Sequence, residues 1–481
     1  MKVLSVAEMR ICDQNAVKKR GYTSLLLMEQ AAQAFARIFM DQVPGEKRIT
    51  IVTGKGNNGG DGWAVGRILH VNGYDVRIFP LMEPVTEEGL FQQRLALNHG
   101  ITVLGTSDFR NCEVIIDAVF GTGFQGELPE AVRKVFRKIS SRDLPIWALD
   151  IPSGVNGDTG VAAADALKAQ ETVTFEYPKY GHFINDGRVL SGKLTVVSIG
   201  VKAQDKEEKE FQGALLPDDL LSIPDPPADT HKYDRGAVQV IGGAEPYTGA
   251  PLLASLGALR SGAGYVVTDV LYRGPVQAPA EFIVRGHENF QDVLLHDKCA
   301  VHLIGPGLGR SEEAKRFLTD LFEKEKGKRF VLDADALFFF DQIYRKGVHE
   351  VIVTPHLGEF SQMTGVPVDK ICEKMIPLGQ SFAREKECVL ILKSHGTVIF
   401  SPDGSFSFNP AGNSFLATMG SGDILSGVVA ALWARGLSRE EAASAGVLLH
   451  SRAGDRLVEG GEVNFTASGL AAAIPKVIKR G

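Results

Sequence analysis

Short, unbroken apolar strands recur along this chain, each ending in a glycine-bearing loop and separated by helical patterns. The first series is Arg48–Thr53, Val76–Leu81, Ile101–Leu104, Val114–Val119, Ile146–Ile151, Thr172–Phe175 and Leu194–Ile199. A strand that is apolar at almost every residue has to be covered on both faces, and strands alternating with helices pair in parallel. The prediction is α/β, with a doubly wound sheet in the N-terminal half. A second series follows: Ala237–Ile241, Tyr265–Val270, Val301–Ile304, Phe330–Leu332, Val351–Val353 and Val389–Lys393. Between the two, residues 201–232 break the rhythm with a charge run and then Pro224, Pro226 and Pro227, the composition of a linker. A chain of 481 residues suits two large domains at about 100–200 residues per domain. The predicted division is residues 1–205, a linker and start of the second domain over 206–232, and residues 233–481.

Charge and cysteine usage narrow the function. A net charge of −6 gives no general attraction for nucleic acid or an anionic membrane. Phosphate binding therefore has to be local, from backbone amides and a few basic side chains. The five cysteines, Cys12, Cys112, Cys299, Cys372 and Cys388, form no CxxC pair and no metal-ligand spacing, and read as free thiols of a reducing compartment. The N-terminus is amphipathic and charged, unlike a signal peptide. No apolar run approaches the roughly 18 residues of a membrane span. A cytoplasmic location is the expectation, with small molecules as partners and no nucleic acid or membrane.

Ligands of parallel sheets bind at the carboxyl ends of the strands, and three loops there combine glycine with an acid. GKGNNGGDG (Gly54–Gly62) lies between a strand and a helix, the arrangement that sets a phosphate or ribose on a helix N-terminus. It lacks the GK[ST] ending of a Walker A loop. Asn57, Asn58 and Asp61 add donors and acceptors that a plain turn does not need. DAVFGTGFQGE (Asp117–Glu127) and DIPSGVNGDTG (Asp150–Gly160) follow later strands. One such loop is more often a turn than a site, but three on one sheet edge point to a site.

In the second half, GNSFLATMGSGDILSG (Gly412–Gly427) turns from small and polar to apolar, as a loop feeding a helix does. Gly420 and Gly422 let backbone N–H groups approach an anion, and the helix dipole adds to their pull. A carboxylate at Asp423 is costly beside a phosphate unless it takes a proton from an attacking hydroxyl. GSGD by itself serves equally well as a helix N-cap. His356 and Lys393 also stand at strand ends, which favours ligand binding over a core histidine and a surface charge.

The first set of loops, with the AEM start and LMEQA (Leu27–Ala31), resembles the NAD(P)H-hydrate epimerase domain, or YjeF N-terminal domain, over about residues 1–205. The resemblance implies a Rossmann-like fold. It implies that Asn57, Asn58, Gly59, Gly60, Asp61 and the segment Gly121, Thr122, Gly123, Phe124, Gln125, Gly126 and Glu127 hold a hydrated dinucleotide. It implies potassium at Asn58, Asp117 and Ser153, where oxygen donors suit a hard cation. Asp150 corresponds to the carboxylate that contacts the nicotinamide end and is the acid/base candidate, and Lys179 also matches. Gln170 departs from the pattern, standing where Asp is expected.

THK before the first strand of the second half, then GGAxxYTGAP, GPGLG, DADAL, TPHxGE, LKSHGT and GNxxLATxGSGD in order, resemble the ribokinase-like superfamily. Within it they resemble the ADP- or ATP-dependent NAD(P)H-hydrate dehydratases, over about residues 215–481. The resemblance implies that Ala250, Gly307 and His356 contact the hydrate. Lys393, Ser394, His395, Gly396, Thr397 and Gly422 would contact the adenine nucleotide, with Mg2+, and Asp423 would be the catalytic base. Met419 stands where Gly is usual. A homo-oligomer is expected, since many members of this superfamily assemble. Together the halves imply repair of hydrated NADH and NADPH by epimerisation and nucleotide-driven dehydration. The alternative is a small-molecule kinase of the ribokinase superfamily with an N-terminal nucleotide-binding module.

Overall fold

The computed structural model describes residues 1–203, 209–223, 225 and 229–480. Much of the expected charge run and Pro224, Pro226 and Pro227 lie outside the described residues. The chain divides into two compact units, Met1–Ala214 and Leu215–Gly481. Phe211 packs in the core of the first, and Leu216, Leu221 and Ile223 in the core of the second.

The first unit holds seven strands: β1 (Arg48–Thr53), β2 (Asp75–Pro80), β3 (Thr102–Val103), β4 (Val114–Ala118), β5 (Ile146–Leu149), β6 (Glu171–Phe175) and β7 (Lys193–Val197). Their order is β3-β2-β1-β4-β5-β6-β7, and every pairing is parallel. Successive side chains of a strand point to opposite faces, and here each face has its own core. Ile49, Ile51, Ile116 and Trp147 join one, while Val52, Ile115 and Ile146 join the other. That is why these strands read as continuous apolar runs. Trp147 meets Phe39 of the helix Ser24–Gln42 edge-on at 5.0 Å, and its truncation to Ala would cost about 3–5 kcal/mol.

Strand order reverses between β1 and β4, so the chain leaves these neighbours in opposite directions. That switch point is where doubly wound sheets bind ligands. It sets the loop after β1 against the loop after β4: a Cβ on Gly54 would lie 1.9 Å from the Val119 carbonyl oxygen.

The second unit repeats the plan. After the edge strand β8 (Gly213–Leu215) come β9 (Ser222–Ile223), β10 (Ala237–Gly242), β11 (Tyr265–Val270), β12 (Ile283–Gly286), β13 (Val301–Ile304), β14 (Arg329–Leu332), β15 (Glu350–Val353), β16 (Val389–Leu392), β17 (Val398–Phe400) and β18 (Phe406–Phe408). The large sheet runs β12-β11-β10-β13-β14-β15-β16-β17-β18-β8. It is parallel from β12 to β16, then turns antiparallel through β17 and β18. Sequence reading did not anticipate β12 or the β17–β18 hairpin; β12 is half-exposed and charged, and the hairpin strands are only three residues long. The switch point falls between β10 and β13. There the Gly242-Gly243 turn meets GPGLG, with the Gly243 and Ala244 N–H groups donating to the Pro306 and Gly307 carbonyls at 3.0 and 2.7 Å.

Candidate functional sites

In the first unit a cavity of about 1020 Å³ opens at the β1/β4 switch point. Asn57, Asn58 and Asp61 line it from the start of the helix Asn57–Val71, and Gly121, Thr122, Gly123, Phe124, Gln125 and Glu127 from the loop after β4. Asp150 and Lys179 complete that wall, while Asp13 and Arg10 enter from the helix Val6–Arg20. Gly59 and Gly60 stand behind the lining. A Cβ on Gly59 would sit 1.9 Å from the Gly54 carbonyl oxygen, so only glycine lets the helix begin this close to its loop. Gly126, at φ +79°, shapes the turn between Gln125 and Glu127.

Asp150 follows β5 with φ +64°, a left-handed conformation that costs a non-glycine residue about 1–3 kcal/mol and clusters at functional sites. Its Oδ1 accepts from Lys179 Nζ at 2.6 Å and from Thr174 Oγ1 at 2.7 Å. Lys179 is itself buried. Burial favours the neutral acid at Asp150, but the Lys179 charge and these hydrogen bonds outweigh it and hold the pKa below the ordinary value. Lys179 N–H donates to His182 Nδ1 at 3.0 Å, so Nε2–H donates to the Asp150 carbonyl at 2.9 Å. Burial keeps that imidazole neutral, its pKa lowered to about 4. Asp13 and Asp61 face the opposite fate. Burial and the Asp150 charge raise both, Asp13 to about 6 and Asp61 well above the ordinary carboxylate value.

Next to this wall, Asp117 is fully buried at the end of β4. Ser153 donates to it twice, from Oγ to Oδ1 at 2.5 Å and from N to Oδ2 at 2.8 Å. Burial outweighs those bonds and raises Asp117 to about 6. Asn58, also buried, lies against Gly121, and its Nδ2 has no hydrogen-bond partner. Gln170 is exposed, with its backbone N–H and carbonyl joined to Ile146 and Lys193.

In the second unit, Asp423 occupies the first turn of the helix Ser421–Ala434, capped by Gly420 at φ +84°. His450 is buried and bonded through Nε2 to the carbonyl and hydroxyl of Ser421, both at 3.0 Å, which fixes that turn. Lys393 reaches the loop from the end of β16: its Nζ would lie 3.4 Å from a Cβ on Gly422. The same ammonium donates to buried Asp333 of DADAL at 2.9 Å. Burial first, then the negative field of Asp333, Glu359 and Asp335, raise Asp423 to about 7 against the pull of Lys393.

Other expected residues are brought in by backbone pairing. Lys393 N–H donates to the Pro355 carbonyl at 2.8 Å, which sets His356 beside the lysine. His356 Nδ1 accepts from the Gly358 and Glu359 N–H groups as the cap of the helix Leu357–Thr364, while its ring stays 60% exposed. Gly307 and Ala250 share the β10/β13 switch point with Tyr247. Ser394, His395, Gly396 and Thr397 form the turn between β16 and β17, braced by Ser394 Oγ donating to the Gly396 carbonyl at 2.8 Å. Met419 is 92% exposed and lies outside the left-handed region, so the backbone does not require glycine there.

Sequence reading did not assign Asp13, Thr174, Asp333, Glu359 or His450 to the sites. DADAL at a strand end was a usable signal for Asp333. Asp13 and His450 sit inside helices with no local motif and reach their sites only through packing.

The chain matches two family models: YjeF-related protein N-terminus over residues 24–181 and NAD(P)H-hydrate dehydratase over residues 238–476. It is 32% identical to a bifunctional NAD(P)H-hydrate repair enzyme Nnr of Thermofilum pendens, covering 100% of this chain and 96% of that protein. Identity to the Nnr enzyme of Moorella thermoacetica is 33%, covering 100% and 97%. Among solved structures, an ADP/ATP-dependent NAD(P)H-hydrate dehydratase from Bacillus subtilis, co-crystallised with ATP/Mg2+, aligns at 29% identity and a TM-score of 0.49, over 55% of this chain and 97% of that one. Sites in both halves and relatives alike along their whole length lead to one conclusion: the chain belongs to the family of bifunctional NAD(P)H-hydrate repair enzymes.

Proposed function

We propose that the chain repairs hydrated NADH and NADPH, with the epimerase in residues 1–205 and the dehydratase in residues 233–481. The first interconverts the R and S hydrates. The second dehydrates the S form at the expense of ADP or ATP, releasing AMP or ADP and phosphate. One observation carries the dehydratase: the Asp423 carboxylate stands in the first turn of the helix Ser421–Ala434, whose free amides favour anions, with the Lys393 ammonium beside the same turn.

Asp423 takes the proton of the ring hydroxyl as that oxygen attacks the terminal phosphorus. The amides of the GSGD turn hold the charge on the transferred group. The phosphorylated carbon then releases phosphate, a far better leaving group than hydroxide, as the ring nitrogen supplies the electrons, and loss of a proton from the neighbouring ring carbon restores the double bond. Lys393, Ser394, His395, Gly396, Thr397 and Gly422 take the nucleotide, and Ala250, Gly307 and His356 take the hydrate. Among the described residues no three His, Cys, Asp or Glu side chains form a metal cluster. Magnesium is commonly held by phosphates, waters and one or two carboxylates, and when bound would offset phosphate charge.

In the first unit, the wall of Asn57 to Asp61 and Gly121 to Glu127 holds the dinucleotide, and Asp150 is the base. Potassium fits Asn58, Asp117 and Ser153, because Asp117 is a buried carboxylate with no ion-pair partner among the described residues. When bound, the ion supplies the missing positive charge. No helix among the described residues is long and apolar enough to cross a membrane; we place the enzyme in the cytoplasm, as a homo-oligomer.

The test is recovery of the reduced-nicotinamide absorbance from mixed hydrate epimers with magnesium and either ADP or ATP. Nearly complete recovery with one nucleotide is expected. Recovery stalling at the S fraction removes the epimerase, and no recovery removes the dehydratase.

A further inference from the structure

The hydroxyl-bearing carbon of the hydrate is bonded to the ring nitrogen. Removing the hydroxyl proton lets the oxygen's electrons form a carbonyl while the C–N bond breaks. The nitrogen receives that electron pair and needs a proton. Rotation about the adjacent C–C bond, reclosure on the other carbonyl face and return of both protons give the opposite epimer. No oxidant or co-reactant is consumed. The step requires two proton carriers in one cavity: an ionised base and a protonated acid.

Lys179 holds Asp150 ionised, which supplies the base. Asp13 lines the same cavity from another element, the helix Val6–Arg20. Unlike that of Asp150, its carboxyl group has no hydrogen bond or ion pair with a described residue. In that cavity the buried Asn58 Nδ2 also lacks a partner, as a group awaiting a ligand does. On the epimerase reading above, we propose that Asp13 is a catalytic residue of the first unit, giving the ring nitrogen its proton while Asp150 takes the hydroxyl proton.

Two carboxyl groups pushed apart by their surroundings are the general signature of such an acid and base. Burial and the Asp150 charge raise Asp13 to about 6 against the opposing pull of Lys179. That lies near neutral pH, where an acid both donates and recovers its proton. Asp61 lines the cavity too, from the start of the helix Asn57–Val71, and burial and the charges of Asp150 and Asp13 raise its pKa.

The experiment measures R-to-S exchange of NADH hydrate by NMR on the full chain without nucleotide, so that the second unit is idle. The variants are Asp13→Asn and Asp13→Glu. Asp13→Asn should lower kcat by about 10²–10⁴ and leave KM within about threefold. Asp13→Glu should restore at least about a tenth of the wild-type rate, since it still carries the proton. An Asp13→Asn variant keeping kcat within about threefold overturns the assignment. So does loss of both kcat and hydrate binding in the two variants alike, which marks a packing role. Failure of the wild-type chain to exchange the epimers overturns the epimerase reading, and the acid with it.

Discussion

Asp150 and Asp423 both stand at the ligand-binding edge of a parallel sheet, each with a lysine nearby, yet their surroundings drive them in opposite directions. At Asp150 the lysine is bonded directly to the carboxylate at 2.6 Å, and the ionised form prevails over burial. At Asp423 the lysine is engaged by Asp333 at 2.9 Å, and burial together with Asp333 and two further acids, Glu359 and Asp335, leaves the carboxylate near 7. Proximity of a lysine therefore says little by itself; what matters is which acid its ammonium binds. The pattern suits the two proposed tasks. An always-ionised base serves reversible ring opening, whereas a base near 7 becomes protonated as it works and then gives the proton up.

The sharpest way to break this contrast is Asp423→Asn. Dehydration should fall by about 10²–10⁴ while epimer exchange continues, read by absorbance recovery and NMR on the same sample. A folded-state pKa raised from 3.8 to about 7 means the native state holds the proton more tightly than the unfolded chain. Stability then falls as pH rises through that window. Asp423→Asn should therefore melt above wild type at about pH 8, with the gap closing below about pH 4. In wild type, dehydration should rise with pH up to about 7 and level off above it.

Lys179→Met tests the other half. It strands Asp150, 17% exposed, without its partner. Losing one member of a buried pair costs about 3–5 kcal/mol, or a melting temperature lower by roughly 6–20 °C for a unit of this size. Epimer exchange should be lost at the same time, and Lys179→Arg should recover stability better than activity. A smaller effect is expected from replacing potassium with a bulky organic cation. It should raise the KM for exchange by about tenfold and leave dehydration of pure S hydrate unchanged. The smallest effect belongs to Met419→Gly, exposed and free of backbone strain. Its nucleotide KM should stay within about twofold.

Much of both sites was legible because glycine loops at strand ends leave local signatures. GKGNNGGDG and FGTGFQGE lie where a strand hands over to a loop or helix, and GSGD where a loop feeds a helix; Asn57, Asn58, Asp61 and Asp423 stood out by position, whereas the roles of Gly121 to Glu127 were implied by the family resemblance. Asp13 was not, since on a charged helix one acid looks like any other solvated charge. Thr174 was hidden inside a strand and His450 inside a helix of 21 residues. The Lys179–Asp150 pair joins positions 29 apart in sequence, and Lys393–Asp333 joins positions 60 apart. No spacing rule connects such partners.

The amino-acid sequence by itself determined two parallel-sheet units, the loops at their ligand-binding edges and the types of residue those loops carry. Periodicity, glycine content and turn chemistry are local, and local forces suffice to specify them. Strand order, and with it the meeting of particular loops at each switch point, was decided only in the tertiary structure. So was the ionisation of each acid. A carboxylate's pKa depends on burial and on charges that folding brings close from distant parts of the chain, and neither is encoded in its immediate neighbours.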